Sequence, residues 1–99
     1  MGRPLENYFQ KKLIQRLKKD YPDAIIQKLD SGYTQGIPDL LILQGSKWAA
    51  LEAKRSAGES HRPNQDWYVD KMNRMSFSRF VCPENMEEVL RELQAFFAD

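Results

Sequence analysis

A hairpin pattern in the middle of the sequence constrains this chain more than any other feature. An apolar run over 40–43 follows Pro38 and Asp39 and ends at a Gln-Gly-Ser stretch over 44–46, which is typical of a tight turn. Residues 47–54 can return beside that run as a second strand. The pattern therefore predicts two neighbouring antiparallel strands, around which the other elements must be arranged.

Helical and extended patterns lie on both sides of the hairpin. Leucine and phenylalanine recur at every fourth position from Leu5 to Leu17, which predicts a first helix over Pro4–Asp20. Further patterns predict a strand over 24–29, a helix over 63–75, a strand over 77–81 and a last helix after Asn85. This order predicts an α/β or α+β fold, with a mixed sheet flanked by helices.

The later helices carry two more specific expectations. In the helix over 63–75, we expect Trp67, Tyr68, Met72 and Met75 to form the buried side. In the last helix, Asn85 is followed three residues later by Glu88, a spacing that resembles a capping box. We expect Cys82, just before that helix, to be a small buried residue without chemistry.

Length and charge narrow the kinds of protein this chain can be. Its 99 residues suit one domain over 1–99, and dimerisation would cover additional apolar surface. Fifteen Lys and Arg against fourteen Asp and Glu give a net charge of +1, so any basic surface for nucleic acid must be local. One cysteine cannot form an internal disulfide, and one histidine, His61, cannot build a multi-histidine metal site.

The sequence also lacks the signals typical of exported, membrane-spanning and ATP-binding proteins. Its first residues lead into a charged amphipathic stretch, and its longest apolar runs are only a few residues. It contains no GxxxxGK phosphate loop, so ATP is not an expected partner. We therefore expect a soluble cytoplasmic protein with no membrane association.

Three polar residues lie where the predicted hairpin would bring them together. Counting back from the turn, Asp39 comes opposite the 50–52 region. Glu52 and Lys54 are two residues apart and share one face of the sheet, while Ala53 faces the other side. A strand-borne Glu-Ala-Lys is by itself more often a solvated ion pair. The three residues in this order on a hairpin favour a metal site instead.

The same residue types explain what such a site can do. Two carboxylates and a backbone carbonyl are hard oxygen ligands that suit Mg²⁺ rather than zinc or copper. A bound Mg²⁺ polarises a phosphoryl oxygen and lowers the pKa of a coordinated water. The Lys54 ammonium adds a compact positive charge that can stabilise the transition state. The sequence thus contains the groups that phosphodiester hydrolysis needs.

These residues also resemble a known signature. A Gly-Ile-Pro-Asp stretch over 36–39, with Asp39 placed 13 residues before Glu52-Ala53-Lys54, resembles the motif of the PD-(D/E)XK nuclease superfamily. The element order resembles that superfamily's restriction-endonuclease-like αβββαβ core. The small size, the Gly-x-Pro-Asp form and Gln65 resemble the VRR-NUC family, in its stand-alone phage and bacterial type. The resemblance covers most of the chain, from the first helix to the last strand.

The resemblance implies a role for each matching residue. Asp39 and Glu52 would hold Mg²⁺, for which Mn²⁺ would substitute, and the Ala53 carbonyl would complete the protein ligands. Lys54 would be the catalytic lysine, and Gln65 would position substrate or lysine, so that the catalytic set is Asp39, Glu52, Lys54 and Gln65.

Residues outside the motif are assigned on weaker grounds. Glu6 matches an acidic residue that many members direct at the metal, but a first-turn Glu favoured by the helix dipole explains it equally well. The basic stretch over 55–62 is predicted to be a mobile loop beside the site, suited to phosphate contacts. A charged loop alone would usually be only a solvated loop. The residues predicted to contact DNA are Lys28, Ser31, Arg55, His61 and Arg62.

The resemblance implies a metal-dependent DNA endonuclease of a bacterial or phage-infected cell. Stand-alone family members resemble resolvases that cut four-way (Holliday) junctions as homodimers, so branched DNA and a second copy of the chain are the expected partners. Two alternatives stay open: a flap, nicking or other DNA nuclease, and a non-catalytic DNA-binding module that keeps the fold. Degenerate members typically lose a ligand or the lysine, so the presence of Asp39, Glu52 and Lys54 favours an enzyme.

Overall fold

The computed structural model describes the backbone from Pro4 to Asp99 and the side chains from Tyr8 onward. Helices and strands follow each other in the predicted order, and each boundary that was predicted lies within two residues of the observed one. The elements are α1 (Pro4–Asp20), β1 (Ile25–Lys28), β2 (Leu40–Gln44), β3 (Lys47–Ala53), α2 (Gln65–Met75), β4 (Ser78–Val81) and α3 (Met86–Ala98). The predicted arrangement of a mixed sheet flanked by helices is confirmed.

The sheet has the strand order β1-β2-β3-β4, with β3 and β4 parallel and the other neighbours antiparallel. The predicted hairpin joins β2 to β3, and Gln44 pairs with Lys47 across a two-residue loop. The first loop residue, Gly45, has a φ of +61°, which glycine adopts at no steric cost. This short loop fixes the register of the two strands, with Leu40 opposite Leu51 at the far end.

One face of the sheet carries the apolar core. The inward stripe of α1 consists of Phe9, Leu13 and Leu17, as predicted, while the side chain of Leu5 lies outside the described residues. These residues pack with alternate positions of β2 and β3 and with the inward face of α3, which includes Val89, Leu90 and Leu93. Along the described chain, no helix combines the length and the apolarity that a membrane crossing requires.

The opposite face is covered by α2 over β3 and β4. Because strand residues alternate between faces, Ala50 and Glu52 point away from the core and toward α2. The predicted buried side of α2 is wrong in part: Trp67 is 58% exposed and Met75 is also exposed, Tyr68 and Met72 are half-buried, and the fully buried residues are Gln65 and Val69. The buried side of α2 starts with the polar residue Gln65, so apolar periodicity does not identify it.

The start of α3 is stabilised differently from the prediction. The helix begins at Met86, next to Asn85 as expected, but the Asn85 side chain makes no capping hydrogen bond. Its Oδ1 accepts from the Cys82 backbone N–H at 2.8 Å, and its Nδ2 donates to the Phe80 carbonyl at 3.0 Å. Asn85 therefore ties the end of β4 to α3, and Cys82 is buried as predicted.

Candidate active site

The hairpin brings Asp39 and Glu52 together at its open end. Leu40 pairs with Leu51, so one step further Asp39 lies beside Glu52, as the count from the turn predicted. The backbone N–H of Ala53 donates to Asp39 Oδ2 at 2.9 Å. The Asp39 carbonyl accepts from the Leu29 N–H at 2.7 Å, which anchors the residue from the β1 side. Asp39 is thus held by its backbone and its side chain.

The electrostatic state of Asp39 reflects this crowded position. Burial raises the pKa of the Asp39 carboxyl above its ordinary value, because the charged form loses hydration. Hydrogen bonds from Ala53 and Glu52 act against that rise, as do the Lys54 charge and a hydrogen bond from Gln10. A carboxyl held this way is costly to ionise in the absence of a cation, and a bound cation would favour ionisation.

Gln65 links the predicted lysine to the predicted acidic ligand. Lys54 Nζ donates to Gln65 Oε1 at 2.6 Å, and Gln65 Nε2 donates to Glu52 Oε2 at 3.0 Å. The three side chains are nearly buried, with 4% of Lys54, 4% of Glu52 and 6% of Gln65 exposed. The Arg62 N–H also donates to Gln65 Oε1, at 2.8 Å. Two donors meet at Oε1, which turns the amide NH₂ toward Glu52.

A close contact explains why α2 starts at this place. Gly36 has a φ of +91°, and a Cβ there would lie 2.6 Å from Asn64 Cβ and 2.7 Å from the Asn64 carbonyl carbon. Asn64, directly before Gln65, itself adopts a left-handed conformation with a φ of 71°. The Gly-Ile-Pro-Asp stretch therefore packs against the residue that sets the position of Gln65, and only glycine fits there.

α1 contributes to the site through a residue that the sequence analysis missed. The Gln10 side chain is close enough to Asp39 to oppose the rise in the pKa of the Asp39 carboxyl. Gln10 follows Glu6 by four residues in the sequence of α1. The Glu6 side chain itself lies outside the described residues, and its role as a metal ligand stays a prediction. The i, i+4 spacing from Glu6 was the sequence signal that could have identified Gln10.

The loop over 55–62 is tied to the site by hydrogen bonds. The Arg55 N–H donates to Glu59 Oε1 at 2.6 Å, and Lys54 Nζ donates to the Ser60 carbonyl at 3.3 Å. The His61 ring stacks on Phe80, with 4.0 Å between ring centroids. Its Nδ1 lies 2.6 Å from Asp66 Oδ1. The loop is therefore anchored at several points, and His61 is engaged in contacts within the protein.

The structure divides the other predicted DNA-contacting residues among different surfaces. Ser31 and Arg62 line a cavity of about 260 Å³ together with Gln65, so they lie next to the site. Lys28 lines a different cavity, beside Lys11 and Lys18 of α1. Arg55 lines a third, with residues of α1 and the start of α3. Ser31 and Arg62 thus lie beside the site, Arg55 directly follows Lys54 but lines a separate cavity, and Lys28 extends the basic side of α1.

The donor set at the site suits a hard cation. Asp39 and Glu52 offer carboxylate oxygens, and the Ala53 carbonyl follows Glu52 in the chain. Among the side chains described from Tyr8 onward, no cluster of three or more His, Cys, Asp or Glu residues could hold a metal. Two carboxylates and a carbonyl fit Mg²⁺, which keeps several waters and takes further ligands from substrate oxygens. A closed tetrahedral zinc site would need more protein ligands than this.

Comparison with known proteins supports the fold assignment. A solved structure described as a "VRR_NUC domain protein" superposes with a TM-score of 0.67 at 13% sequence identity. The match covers 99% of this chain and 92% of that chain. No protein-family model matches the sequence, and a search of curated proteins gives no match. The resemblance to the VRR-NUC family is thus confirmed at the level of the fold, and the mixed four-stranded sheet with its helices is compatible with a restriction-endonuclease-like core.

Proposed function

We propose that this protein is a metal-dependent nuclease that hydrolyses phosphodiester bonds in DNA. The observation that carries the proposal is the buried chain of hydrogen bonds from Lys54 through Gln65 to Glu52, with Asp39 beside it. These hydrogen bonds hold the Lys54 ammonium group next to two carboxylates at one edge of the sheet. The fold shared with a VRR_NUC domain protein supports the same conclusion.

A purely structural ion pair is the competing explanation, and the energetics disfavour it. Removing charged groups from water costs several kcal/mol per ion, by order of magnitude, and apolar residues of similar volume are often as stable or more stable. A protein that needed only stability at this place would gain little from Lys54 and Glu52. Functional sites, by contrast, regularly retain such costly polar groups.

The residues have complementary tasks in the proposed reaction. Held by Asp39, Glu52 and the Ala53 carbonyl, Mg²⁺ or Mn²⁺ would supply Lewis-acid activation of the phosphate and a water of lowered pKa. The Lys54 ammonium stabilises the negative charge that develops on the phosphoryl oxygens. Gln65 holds Lys54 in place before substrate arrives, so no reorganisation is needed during the reaction. Arg62 and Ser31 lie beside Gln65, where they can contact neighbouring phosphates.

The preferred substrate in this proposal is branched DNA, with the four-way junction as its main form. Cutting a symmetric junction on two strands requires two sites related by a two-fold axis, so the proposal includes a homodimer. The apolar stripes of α1 and α3 are already buried in the core, so they cannot form the contact between two copies. The sheet leaves a different apolar surface uncovered.

That surface is a row across the strands on the α2 side of the sheet. Ile25 pairs with Leu43, and Leu43 pairs with Trp48, so the three side chains lie on one face. Ile25 and Leu43 are exposed, because α2 covers only β3 and β4. Exposed contiguous apolar residues commonly mark protein interfaces. We therefore assign the contact between the two copies to this row.

The test is cleavage of labelled four-way junction, flap and linear duplex DNA with Mg²⁺, Mn²⁺ or EDTA. The proteins compared are wild type, Lys54→Ala and the control Lys71→Ala, which removes an exposed lysine from α2. We expect symmetric, metal-dependent junction cutting that Lys54→Ala lowers by at least about 100-fold and Lys71→Ala leaves intact. Preferential flap cutting would replace the junction by a flap substrate. Equal activity of both variants would show that the site is wrong.

A further inference from the structure

The cavity that Arg55 lines lies at the carboxyl ends of β3 and β4. Arg55 comes two residues after the end of β3, and Pro83 comes two residues after the end of β4. Because these strands are parallel, both residues lie at the same edge of the sheet as Lys54. The cavity has a volume of about 350 Å³ and is lined by Tyr8, Phe9, Lys12, Arg55, Pro83 and Met86. We call it the Tyr8 cavity.

The lining combines an accessible aromatic ring with apolar walls. Tyr8 is 64% exposed, although it lies next to the buried core residue Phe9. Pro83 and Met86 supply the apolar wall on the α3 side. An exposed aromatic ring in a concave apolar setting offers a flat surface on which a planar ring system can stack.

Two cations border this apolar surface. Lys12 follows Tyr8 by one helical turn, and its Nζ lies over one face of the Tyr8 ring, 5.5 Å from the ring centre, which leaves the other face for stacking. Arg55 is held by Glu59, whose Oε1 lies 3.5 Å from Arg55 Nε and also accepts the Arg55 backbone N–H. Lys12 belongs to the basic side of α1, and Glu59 offsets part of the charge of Arg55, so the positive charge at the cavity comes mainly from Lys12. An aromatic ring in a cavity that also holds two cationic side chains suits a base together with its neighbouring phosphates.

We propose that the Tyr8 cavity binds an unpaired nucleobase of the DNA strand whose phosphate lies at Lys54. The base stacks on Tyr8, and Lys12 and Arg55 contact the phosphates next to it. This inference rests on the proposed nuclease function and specifies how that site selects its substrate. Arg55 directly follows Lys54 in the sequence. A DNA strand whose phosphate lies at Lys54 can therefore place a neighbouring nucleotide in the cavity.

The cavity would make the enzyme selective for DNA structure rather than sequence. Every base has a π-face, so stacking on an aromatic ring tolerates any base. A base inside a duplex is already stacked and paired, and moving it into a protein cavity costs the free energy of unstacking and unpairing. Bases at a branch point or in a single-stranded tail avoid most of that cost. The Tyr8 cavity therefore favours a substrate with an unpaired nucleotide next to the cleaved bond.

The experiment uses a branched substrate with the fluorescent base 2-aminopurine placed, in turn, at each nucleotide flanking the cleaved bond. A matched set carries an abasic site at the same positions, and binding is measured in EDTA so that no cleavage occurs. We expect the wild-type protein to quench 2-aminopurine at one position and to bind the abasic form of that position at least about fivefold more weakly.

Variants separate stacking from other effects of the residue. Tyr8→Ala should remove the quenching and weaken binding of the intact substrate to the level of the abasic one, whereas Tyr8→Phe should keep both. Trp67→Ala, which removes an exposed aromatic ring outside the cavity, is the matched control and should change neither. The abasic comparison in wild type keeps the test valid even if Tyr8→Ala does not fold.

The outcomes distinguish this inference from the proposed function. Wild-type protein that cleaves DNA with Mg²⁺ but binds intact and abasic substrates equally would overturn the base-binding cavity alone. Quenching that persists in Tyr8→Ala would do the same. Protein that neither binds nor cleaves any DNA would overturn the proposed function, and the cavity proposal with it. In that case a peptide ligand for this apolar surface becomes the better explanation.

Discussion

Gly36 and Asn64 meet at a distance that leaves no space for a side chain at position 36. A Cβ on Gly36 would approach Asn64 Cβ to 2.6 Å and the Asn64 carbonyl oxygen to 2.9 Å. This contact joins the Gly-Ile-Pro-Asp stretch to the start of α2. Gln65 follows Asn64 and binds both Lys54 and Glu52. The contact therefore fixes the position of Gln65 relative to the stretch that ends at Asp39.

Gly36→Ala should therefore affect stability and activity together. The substitution forces either a strained backbone at a φ of +91° or a shift of Asn64, and we expect it to lower the free energy of unfolding by about 1–3 kcal/mol. It should also reduce cleavage, because Gln65 moves with Asn64. Urea denaturation and cleavage rates measure the two effects. Gly58→Ala is the control, since a Cβ there meets nothing within 4 Å; similar losses in both variants would contradict the role of the contact.

Gln65→Ala should impair catalysis while leaving the metal ligands present. Lys54 and Glu52 would lose the amide that holds them, and removing such a supporting residue typically costs about 10–100-fold in activity or metal affinity. Cleavage rates at saturating Mg²⁺ separate a loss of rate from a loss of affinity. Gln94→Ala, an exposed glutamine of α3, provides the control. Full activity of Gln65→Ala would show that Lys54 is held without it.

Asp39→Asn should stabilise the metal-free protein and abolish cleavage. Burial raises the pKa of Asp39 in the folded state, so its ionised form opposes folding at neutral pH. An amide keeps an oxygen that can accept the Ala53 N–H, without the charge. We expect a gain of about 0.5–2 kcal/mol in the free energy of unfolding at pH 7 in EDTA.

The pH dependence checks the sign of this effect. The destabilisation by Asp39 is fully present above its raised folded-state pKa, and it disappears as pH falls and the carboxyl takes up a proton. The advantage of Asp39→Asn should therefore shrink in acid. Asp70→Asn, at an exposed aspartate of α2, is the control. Mg²⁺ should raise the melting temperature of wild type but not of Asp39→Asn. A destabilised Asp39→Asn at pH 7 would contradict this account.

Leu43→Lys should convert the proposed dimer into a monomer. The substitution places a charge in the middle of the Ile25–Leu43–Trp48 row, where it would have to be buried in the interface without a partner. Light scattering after gel filtration at micromolar concentration measures the mass. Met75→Lys changes an exposed apolar residue on α2 instead and should leave the mass unchanged. A wild-type monomer would remove the dimer from the proposed function.

The sequence predicted the hairpin and the neighbouring positions of Asp39 and Glu52, because turn chemistry and strand alternation are local properties. It did not predict the inward face of α2, since Trp67 and Val69 are both apolar and periodicity alone cannot rank them. The contact between Gly36 and Asn64 joins two loops that are distant in the chain. No local pattern reports such a contact, nor does one show that Gln10 reaches Asp39.

The two-residue loop at Gly45 and Ser46 has a consequence for how related chains can vary in length. The loop fixes which residues of β2 and β3 pair with each other. The number of residues between Asp39 and Glu52 therefore decides whether the two carboxylates lie side by side. Adding a single residue to β3 would turn Glu52 and Lys54 into the apolar core and bring Ala53 to the α2 side. Lengthening both strands by one matched pair would keep the two carboxylates together. Homologous chains should therefore change this interval in steps of two.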